Sequence, residues 1–226
     1  MIDIDKLHIE KLVDSELYKQ SSDEVDFDVS DLDKPIATEL TSMKSETNQY
    51  PSIFDTFSEE YLKEAYEQYF TENLQEEFQA YLTDIPEGKW EELSDPEKEI
   101  IIKAWADFLV EKLELQNPPK LEIYYNEVPG ECGNFNGESV RVNKYELKTP
   151  AEMFNTLAHE YWHAHQYERA NNPKSFRDML YYDNFRNYIS PDVDYEGYYN
   201  QLLEVEARSF ASKMTSAISG VLKELE

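Results

Sequence analysis

Three residues with the side chains of a metal site lie within one short stretch of the chain. His159 and His163 are four positions apart, and Glu160 follows His159 directly. Because each residue of a helix advances by about 100°, both imidazoles point to the same side and can bind one ion at about 2.0–2.1 Å. Glu160 stands beside them, where it can take a proton from an activated water. The pattern predicts a catalytic site with one Zn²⁺ ion per chain.

Chance rarely produces this arrangement. The chain has 4 His and 32 Glu among 226 residues, so a random match is expected in about one of every hundred such chains. Three of the four histidines fall within seven residues. The alternative, in which His159 and His163 are ordinary, partly buried helix residues, is therefore the weaker interpretation.

Two further polar residues follow the motif. His165 lies six positions after His159, about 240° around a helix, so it points away from the ion and is predicted to pack or to support a ligand from behind. We exclude it as a ligand. Gln166 lies seven positions after His159 and returns to the metal side of the helix. It either contacts substrate or the back of a ligand, or makes a structural hydrogen bond.

A third protein ligand must come from another part of the chain, because catalytic zinc usually has three protein ligands and an open position. The segment LLEVEARSFA offers Glu204 and Glu206. Measured from the apolar face of the predicted helix, these carboxylates flank the core on opposite sides. Periodicity therefore leaves the choice between them open.

Helix-start signals place the motif inside a helix. Residues 149–152 (TPAE) form a capping box with Pro at the first helical position, and they predict a helix that runs to about Arg169. Residues 94–97 (SDPE) have the same pattern and predict a helix that ends before Asn117 and the two prolines after it. The metal motif thus lies in the middle of a capped helix.

Amphipathic patterns predict two further helical regions. From Ser58 to about Leu82, apolar residues recur at helical spacing, which predicts one helix or a pair of helices. A last helix is predicted from about Gly197 to Leu222 and carries both candidate glutamates. Its buried face is predicted to consist of Leu203, Ala207, Phe210, Met214, Ile218 and Val221.

Two β-prone stretches, at 121–128 and 139–143, flank a Gly/Asn-rich turn and are predicted to pair in a small antiparallel sheet. With the helices they predict an α+β fold that is mostly helical. We divide the chain into an irregular acidic lead-in at 1–55, an acidic helical segment at 56–117 that forms an N-terminal extension, and a core domain at 118–226.

Charge and hydropathy exclude several kinds of partner. The net charge is −27, and residues 1–100 hold 8 Lys and Arg against 28 Asp and Glu. Because binding to nucleic acid requires clustered Lys and Arg, we expect no nucleic-acid partner. No stretch comes near the roughly 18 apolar residues of a membrane span, so we expect no membrane insertion. The start of the chain lacks the regions of a conventional signal peptide, which makes a cytoplasmic location the default expectation and unconventional export the alternative.

The chain has a single cysteine, Cys132, which excludes an intramolecular disulfide. It lies in the Gly/Asn-rich turn, from which a thiol could reach the open position of the ion and keep an enzyme latent. An inert turn cysteine is the favoured alternative.

The stretches NTLAHEYWHAHQYE (155–168) and YYNQLLEVEARSFA (198–211) together resemble the gluzincin branch of zinc metallopeptidases. They are similar in particular to the small ImmA/IrrE-like and toxin-associated bacterial metallopeptidase domains. The resemblance covers roughly residues 120–222 and implies a zincin-like fold. Two features depart from related patterns: Arg208 stands where many gluzincins carry Asp, and the third histidine of the metzincins is absent.

Carried over residue by residue, the resemblance implies that His159, His163 and Glu204 are the zinc ligands and that Glu160 is the general base. Glu206 is the fallback ligand.

In such folds the strand before the metal helix often forms an edge of the cleft, where an extended peptide can add as another strand. Here that strand is 139–143, so Val140 and Val142 are candidate substrate-binding residues, although a strand that only packs is an equal alternative. The tyrosines just before the ligand helix, Tyr198 and Tyr199 with Tyr195, are candidate oxyanion donors, although core or rim roles are the commoner ones for tyrosine.

The expected function is a zinc-dependent endopeptidase that acts on a peptide or protein substrate. One alternative is a protein-binding module that acts through its acidic helices and has a structural or vestigial zinc. Another is a regulatory peptidase that cleaves one dedicated protein. Replacing Glu160 with Gln separates the first two, because only a peptidase should lose function while keeping its metal.

Overall fold

The computed structural model describes residues 59–83, 85–127, 132–146 and 148–226. The predicted lead-in at 1–55 lies outside the described residues. The helices are α1 (Glu59–Tyr66), a 3-10 helix (Glu67–Tyr69), α2 (Leu74–Ala80), α3 (Asp95–Lys112), α4 (Pro150–Asn171), α5 (Phe176–Arg186), α6 (Tyr195–Asn200), α7 (Leu202–Ala217) and α8 (Ser219–Glu224). The strands are β1 (Lys120–Tyr124), β2 (Gly133–Phe135) and β3 (Ser139–Asn143). No helix within the described ranges is long and apolar enough to cross a bilayer.

Both predicted capping boxes are present. The side chain of Thr149 accepts a hydrogen bond from the backbone nitrogen of Glu152, whose carboxylate in turn accepts from the backbone of Thr149. Ser94 and Glu97 form the corresponding box at the start of α3. These bonds satisfy backbone donors that the first helical turn leaves free. The starts of α3 and α4 are therefore determined by local sequence, and the predicted bounds of both helices are confirmed.

The sheet is mixed, so the prediction of an antiparallel sheet is wrong. β1 pairs with β3 in parallel, with Leu121 opposite Val140 and Ile123 opposite Val142. The strand β2, which was not predicted, lies in the Gly/Asn-rich segment and pairs with β3 antiparallel. Because the chain reverses direction before and after β2, β3 returns in the same direction as β1. The coarser prediction, a mostly helical α+β fold with a small sheet, is confirmed.

Helix α4 lies at the centre of the described unit. It contacts α3, α5, α7 and α8 as well as β2 and β3. One hydrophobic core runs from Ala65 to Leu225 and includes Trp105, Trp162 and Phe210. Residues from the segments predicted at 56–117 and 118–226 both contribute to this core, and they belong to one compact unit. The central helix is thereby held on several sides, which fixes the residues it carries.

The region predicted as one helix from Gly197 to Leu222 is three helices, α6 to α8, so that prediction is wrong in its continuity. The first break is at Gln201, whose backbone is extended (φ −67°, ψ 152°). The Gln201 side chain bonds the backbone nitrogen and oxygen of Ile189, and Asn184 accepts from the backbone nitrogen of Leu203. These side-chain bonds replace helical ones at the break. The predicted buried face of α7 and α8 is nevertheless confirmed at all its positions.

Candidate metal site

The packing of α7 against α4 brings His159, His163 and Glu204 together. The Nε2 atoms of the two histidines are 3.0 Å apart. Glu204 Oε2 lies 3.3 Å from His159 Nε2, and Glu204 Oε1 lies 3.3 Å from His163 Nε2. All three side chains can direct one ligand atom to a common point, since these atoms lie within 4.8 Å of one another. This group could hold a metal ion.

The spacing of the three ligand atoms suits a tetrahedral ion. Ligands about 2.0–2.1 Å from such an ion are about 3.3 Å from one another, close to the separations of 3.0 Å and 3.3 Å found here. Glu204 is 1% exposed and its Oε2 makes no regular hydrogen bond to the described residues. Burying a carboxylate oxygen without a donor is costly unless a cation offsets it. The donor set and this oxygen both fit a bound metal.

The electrostatics of the group favour an anionic Glu204. Burial alone would raise the pKa of its carboxyl, but the His163 and His159 side chains outweigh that effect and hold the pKa far below its ordinary range. Burial alone would lower the pKa of His163, yet the charge of Glu204 and the hydrogen bond to it raise this pKa overall. The pair thus presents a negative ligand atom beside imidazole nitrogens, the combination that binds a divalent cation.

Glu160 lies next to the group and keeps one oxygen available. It is 6% exposed, and its Oε2 is buried without a hydrogen-bond partner among the residues that the structure describes. Burial raises the pKa of its carboxyl, and Glu204 adds to this, whereas His159 and His163 act in the opposite direction. A carboxylate with a raised pKa is a stronger base and can hold a transferred proton.

Two tyrosines surround the Glu204 carboxylate. The hydroxyl of Tyr188 donates to Glu204 Oε1 at 2.7 Å. Tyr198, a predicted oxyanion donor, interacts with the same carboxylate. Burial and Glu204 raise the pKa of both phenols, so both remain protonated donors. Arg208 lies on the outer side, with Nη1 3.7 Å from Glu204 Oε2.

The other two predicted tyrosines lie farther out. Tyr199 is 47% exposed and its ring lies under the guanidinium of Arg208, with the ring centroid 3.8 Å from the guanidinium carbon. Tyr195 is 66% exposed and its ring stacks on that of Tyr199. The structure therefore brings Tyr198 to the site and places Tyr195 and Tyr199 on the surface beside it.

The prediction that strand 139–143 is an edge strand is wrong. β3 is the central strand of the sheet, with β1 on one side and β2 on the other. Val140 and Val142 are fully buried and belong to the hydrophobic core. The prediction failed because it missed β2, which occupies the side that was assigned to substrate.

β2 is the strand that lies over the metal helix near Glu160. A Cβ added at Gly133 would be 2.7 Å from Thr156 Cγ2, 2.9 Å from Arg141 O and 3.3 Å from Glu160 Cγ. Only glycine allows β2 to approach α4 this closely. Within the described part of the chain, β2 pairs only with β3 and so has one open edge.

Glu206 does not join the metal group. It is fully buried and accepts hydrogen bonds from Arg177 Nη1 at 2.7 Å, Tyr181 OH at 2.6 Å and Gln166 Nε2 at 3.2 Å. Gln166 also contacts the ligand His163, with its Oε1 3.0 Å from His163 Nδ1. Gln166 thus makes structural hydrogen bonds to Leu203 and Glu206, as one expectation had it, and it also contacts the back of a candidate ligand, as the other had it.

His165 and Cys132 lie outside the metal group. His165 Nε2 is 3.2 Å from the hydroxyl of Tyr69, and the imidazole packs against Trp162. Burial lowers the pKa of His165 to about 3, with a contribution from Arg169, so it is a neutral packing residue. Cys132 is exposed, and burial of its thiol, together with nearby carboxylates including that of Glu146, raises its pKa. A raised pKa disfavours the thiolate that would bind a metal.

Several residues around the site were not predicted from sequence. Tyr188, Tyr181 and Arg177 lie in or just after α5, which the sequence showed only as a tyrosine-rich connection. The capping residue Ser175, whose side chain accepts from the backbone nitrogen of Asp178, was the available signal for this helix. Nothing in the spacing of the tyrosines distinguishes Tyr188 from its neighbours.

Comparison of the chain with models of protein families, with curated proteins and with solved structures finds no match. The geometry of the site is therefore the basis of the functional argument.

Proposed function

We propose that this chain is a zinc-dependent metallopeptidase in which His159, His163 and Glu204 hold the ion and Glu160 is the general base. The observation that carries the proposal is the convergence of three ligand atoms beside a buried carboxylate oxygen of Glu160 that has no partner among the described residues. Buried polar atoms are normally paired, so the unpartnered carboxylate oxygens of Glu160 and Glu204 fit a site that binds a cation and a water.

Zinc is the metal that this donor set favours. Two imidazole nitrogens and one carboxylate oxygen are typical ligands of catalytic zinc, which keeps a fourth position open. When bound, zinc supplies a Lewis acid that polarises a carbonyl and increases the acidity of water. Structural zinc sites usually have four protein ligands instead. Among the described residues the group has three protein ligands, which supports catalysis over a purely structural role.

Glu160 would take the proton that water loses as its oxygen attacks the carbonyl carbon, and would pass it to the leaving amine. Its Oε2 is buried and has no hydrogen-bond partner among the described residues. The raised pKa of its carboxyl suits a residue that first accepts and then donates a proton. Tyr188 and Tyr198 would fix the orientation of Glu204, and Tyr198 is the candidate donor to the oxyanion.

The substrate would be an extended peptide that adds to the open edge of β2. β2 lies next to Glu160, as the close approach of Gly133 to Glu160 Cγ shows. Its neighbour β3 covers only one of its two sides. Main-chain hydrogen bonds from an edge strand hold a peptide with little regard to its side chains.

Metal content at saturating zinc tests the ligand set. We expect about one zinc per wild-type chain, less than a tenth of that in His163→Asn and Glu204→Gln, and about one in Glu206→Gln. Elemental analysis after gel filtration gives the stoichiometry, and circular dichroism confirms that each variant is folded. A folded wild-type protein that takes up no zinc would contradict the proposal.

Hydrolysis tests the role of Glu160. We expect Glu160→Gln to keep zinc and to cleave a library of unstructured peptides roughly 10²- to 10⁴-fold more slowly than wild type, because the base is lost and the ligands remain. Glu168→Gln, on the same helix, is the matched control and should retain full activity. If wild type cleaves no peptide, partners captured by zinc-loaded Glu160→Gln should be tested for cleavage by wild type. Equal activity of wild type and Glu160→Gln would exclude the proposed mechanism.

A further inference from the structure

A buried polar chain runs from the candidate ligand His163 away from the metal position. His163 Nδ1 is 3.0 Å from Gln166 Oε1. Gln166 Nε2 donates to the backbone oxygen of Leu203 at 3.3 Å and to Glu206 Oε2 at 3.2 Å. His163, Gln166 and Glu206 are each no more than 1% exposed. Water therefore has no access to these bonds, and their donors and acceptors must match within the protein.

The chemistry of an amide fixes the direction of every bond in this chain. The nitrogen of Gln166 faces a carbonyl and a carboxylate, and both of these groups only accept. Its oxygen must therefore face His163, where it accepts. His163 therefore carries a proton on Nδ1, so Nε2, which faces His159 and Glu204, is the nitrogen that a metal would bind. This is the tautomer that a metal on Nε2 requires.

Glu206 is the fixed end of this series of hydrogen bonds. Arg177 Nη1 and the hydroxyl of Tyr181 hold its carboxylate at 2.7 Å and 2.6 Å. Arg177 is itself anchored, since its Nη2 donates to the backbone oxygen of Tyr61 at 2.8 Å. With a carboxylate at this position, the amide of Gln166 cannot turn over without bringing two acceptors together.

We propose that Glu206 and Gln166 are positioning residues that keep His163 in the tautomer able to bind metal. Glu206 acts through Gln166 and does not touch the ion. The inference assigns a role to the glutamate that periodicity offered as an alternative ligand. It rests on the metal site of the proposed function, but it also makes a claim about the metal-free protein that can be tested alone.

Glu206→Gln is the decisive variant, because it keeps the shape of the side chain and adds a donor. The new amide can present its nitrogen to Gln166, so that only the backbone oxygen of Leu203, at 3.3 Å, still opposes a Gln166 amide that has turned over and donates to His163 Nδ1. The proton of His163 would move to Nε2, where it blocks the metal. We expect zinc affinity to fall by roughly 10- to 100-fold, as for other residues that orient a ligand from behind. Asp178→Asn is the matched control. It removes the charge of a buried carboxylate that pairs with Arg169, and this carboxylate makes no hydrogen bond to Gln166.

Two readouts should be combined. Nitrogen NMR of the metal-free protein, with the His163 signals assigned by their loss in His163→Asn, reports the tautomer directly. We expect a proton on Nδ1 of His163 in wild type and in Asp178→Asn, and a substantial fraction without that proton in Glu206→Gln. Zinc affinity is measured by competition with a chelator. The double variant Gln166→Glu/Glu206→Gln restores an acceptor at His163 and should recover both the tautomer and most of the affinity.

The outcomes separate this inference from the proposed function. A His163 in wild type that carries no proton on Nδ1, or an unchanged Nδ1 proton and unchanged zinc affinity in folded Glu206→Gln, would overturn the inference and leave the peptidase proposal standing. A wild-type protein that binds no zinc would refute the proposed function, while the tautomer in the metal-free protein could still be read. If Glu206→Gln does not fold, Gln166→Met removes the same acceptor, and an unchanged Nδ1–H tautomer in it would overturn the inference.

Discussion

Glu204 and Glu206 lie two positions apart on α7 and are both buried, yet their surroundings are opposite in kind. Glu206 has a guanidinium at 2.7 Å and two further donors on its oxygens. Glu204 faces two imidazoles at 3.3 Å and has one oxygen without a regular hydrogen bond to the described residues. Two positions correspond to about 200° around a helix, so the carboxylates project to different sides.

His163 and His165 repeat the contrast on α4. His163 faces the metal group, whereas His165 packs between Tyr69 and Trp162 as a neutral ring. Burial alone therefore does not identify a functional residue in this protein. The two kinds of surroundings differ in whether the protein itself supplies a partner for each buried polar atom. The surroundings of Glu206 and His165 are complete in this sense, whereas the group of His159, His163 and Glu204 could hold an ion.

We expect the largest effect on stability when the ion pair of Glu206 is broken. Arg177→Met leaves the fully buried Glu206 carboxylate without its cation, and removing one partner of a buried ion pair costs about 3–5 kcal/mol of unfolding free energy. Urea unfolding of the metal-free protein measures this. Adding Glu206→Gln to Arg177→Met removes the stranded charge, so the double variant should be the more stable of the two. A cost below about 1 kcal/mol for Arg177→Met would show that the surroundings of Glu206 do not depend on this pair.

Zinc bound by His159, His163 and Glu204 should raise the unfolding free energy by a similar amount. At a free zinc concentration a thousand times the dissociation constant, a ligand that binds only the folded state adds about 4 kcal/mol. We expect this gain in wild type and its loss in Glu204→Gln, measured as the difference in unfolding free energy with and without zinc. Arg177→Met, if folded, should retain most of the gain. Equal stabilisation of wild type and Glu204→Gln would place the metal elsewhere.

The third prediction concerns the contrast between His163 and His165. The pKa of His165 is lowered to about 3 in the folded protein, against about 6.5 in an unfolded chain. Below pH 6.5 His165 is protonated in the unfolded chain but stays neutral in the folded protein. The contribution of His165 to the unfolding free energy is therefore constant above that pH and falls as the pH decreases. Between pH 7 and pH 5 the loss should be about 2 kcal/mol.

Unfolding of metal-free wild type and His165→Gln at both pH values isolates this effect. The variant cannot be protonated at position 165, and all other histidines are the same in both proteins. Wild type should therefore lose about 2 kcal/mol more than the variant. Parallel losses in the two proteins would mean that His165 is protonated as easily folded as unfolded.

How much of this contrast is readable from sequence depends on whether the signal is local. The motif on α4 and its capping box are local, and the structure places His159, Glu160 and His163 as helical spacing requires. Glu204 came from the family resemblance, because periodicity places Glu204 and Glu206 symmetrically about the apolar face. Only the packing of α5 on one side of α7 decides between them, by supplying Arg177 and Tyr181 to Glu206.

The errors in the predicted fold have the same origin. β2 is three residues long, too short for an alternating pattern, and without it the pairing of β1 and β3 was assigned the wrong direction. The break at Gln201 depends on the side chain of Asn184, in α5, and on the backbone of Ile189, in the connection that follows α5. Such long-range hydrogen bonds override the continuous amphipathic pattern of α6 to α8 and leave no local trace in the sequence.

The smallest expected effect tests how the Glu204 carboxylate is held in place. Tyr188 donates to Glu204 Oε1 at 2.7 Å, whereas Tyr199 is exposed and contacts Arg208. Tyr188→Phe removes a hydrogen bond to a buried carboxylate and should weaken zinc affinity about tenfold, or about 1.4 kcal/mol. Tyr199→Phe is the control and should bind zinc as wild type does. Chelator competition measures both. If the two variants behave alike, Tyr188 does not orient the ligand, and Glu204 must be held by Tyr198 and by the packing of α7 on α4.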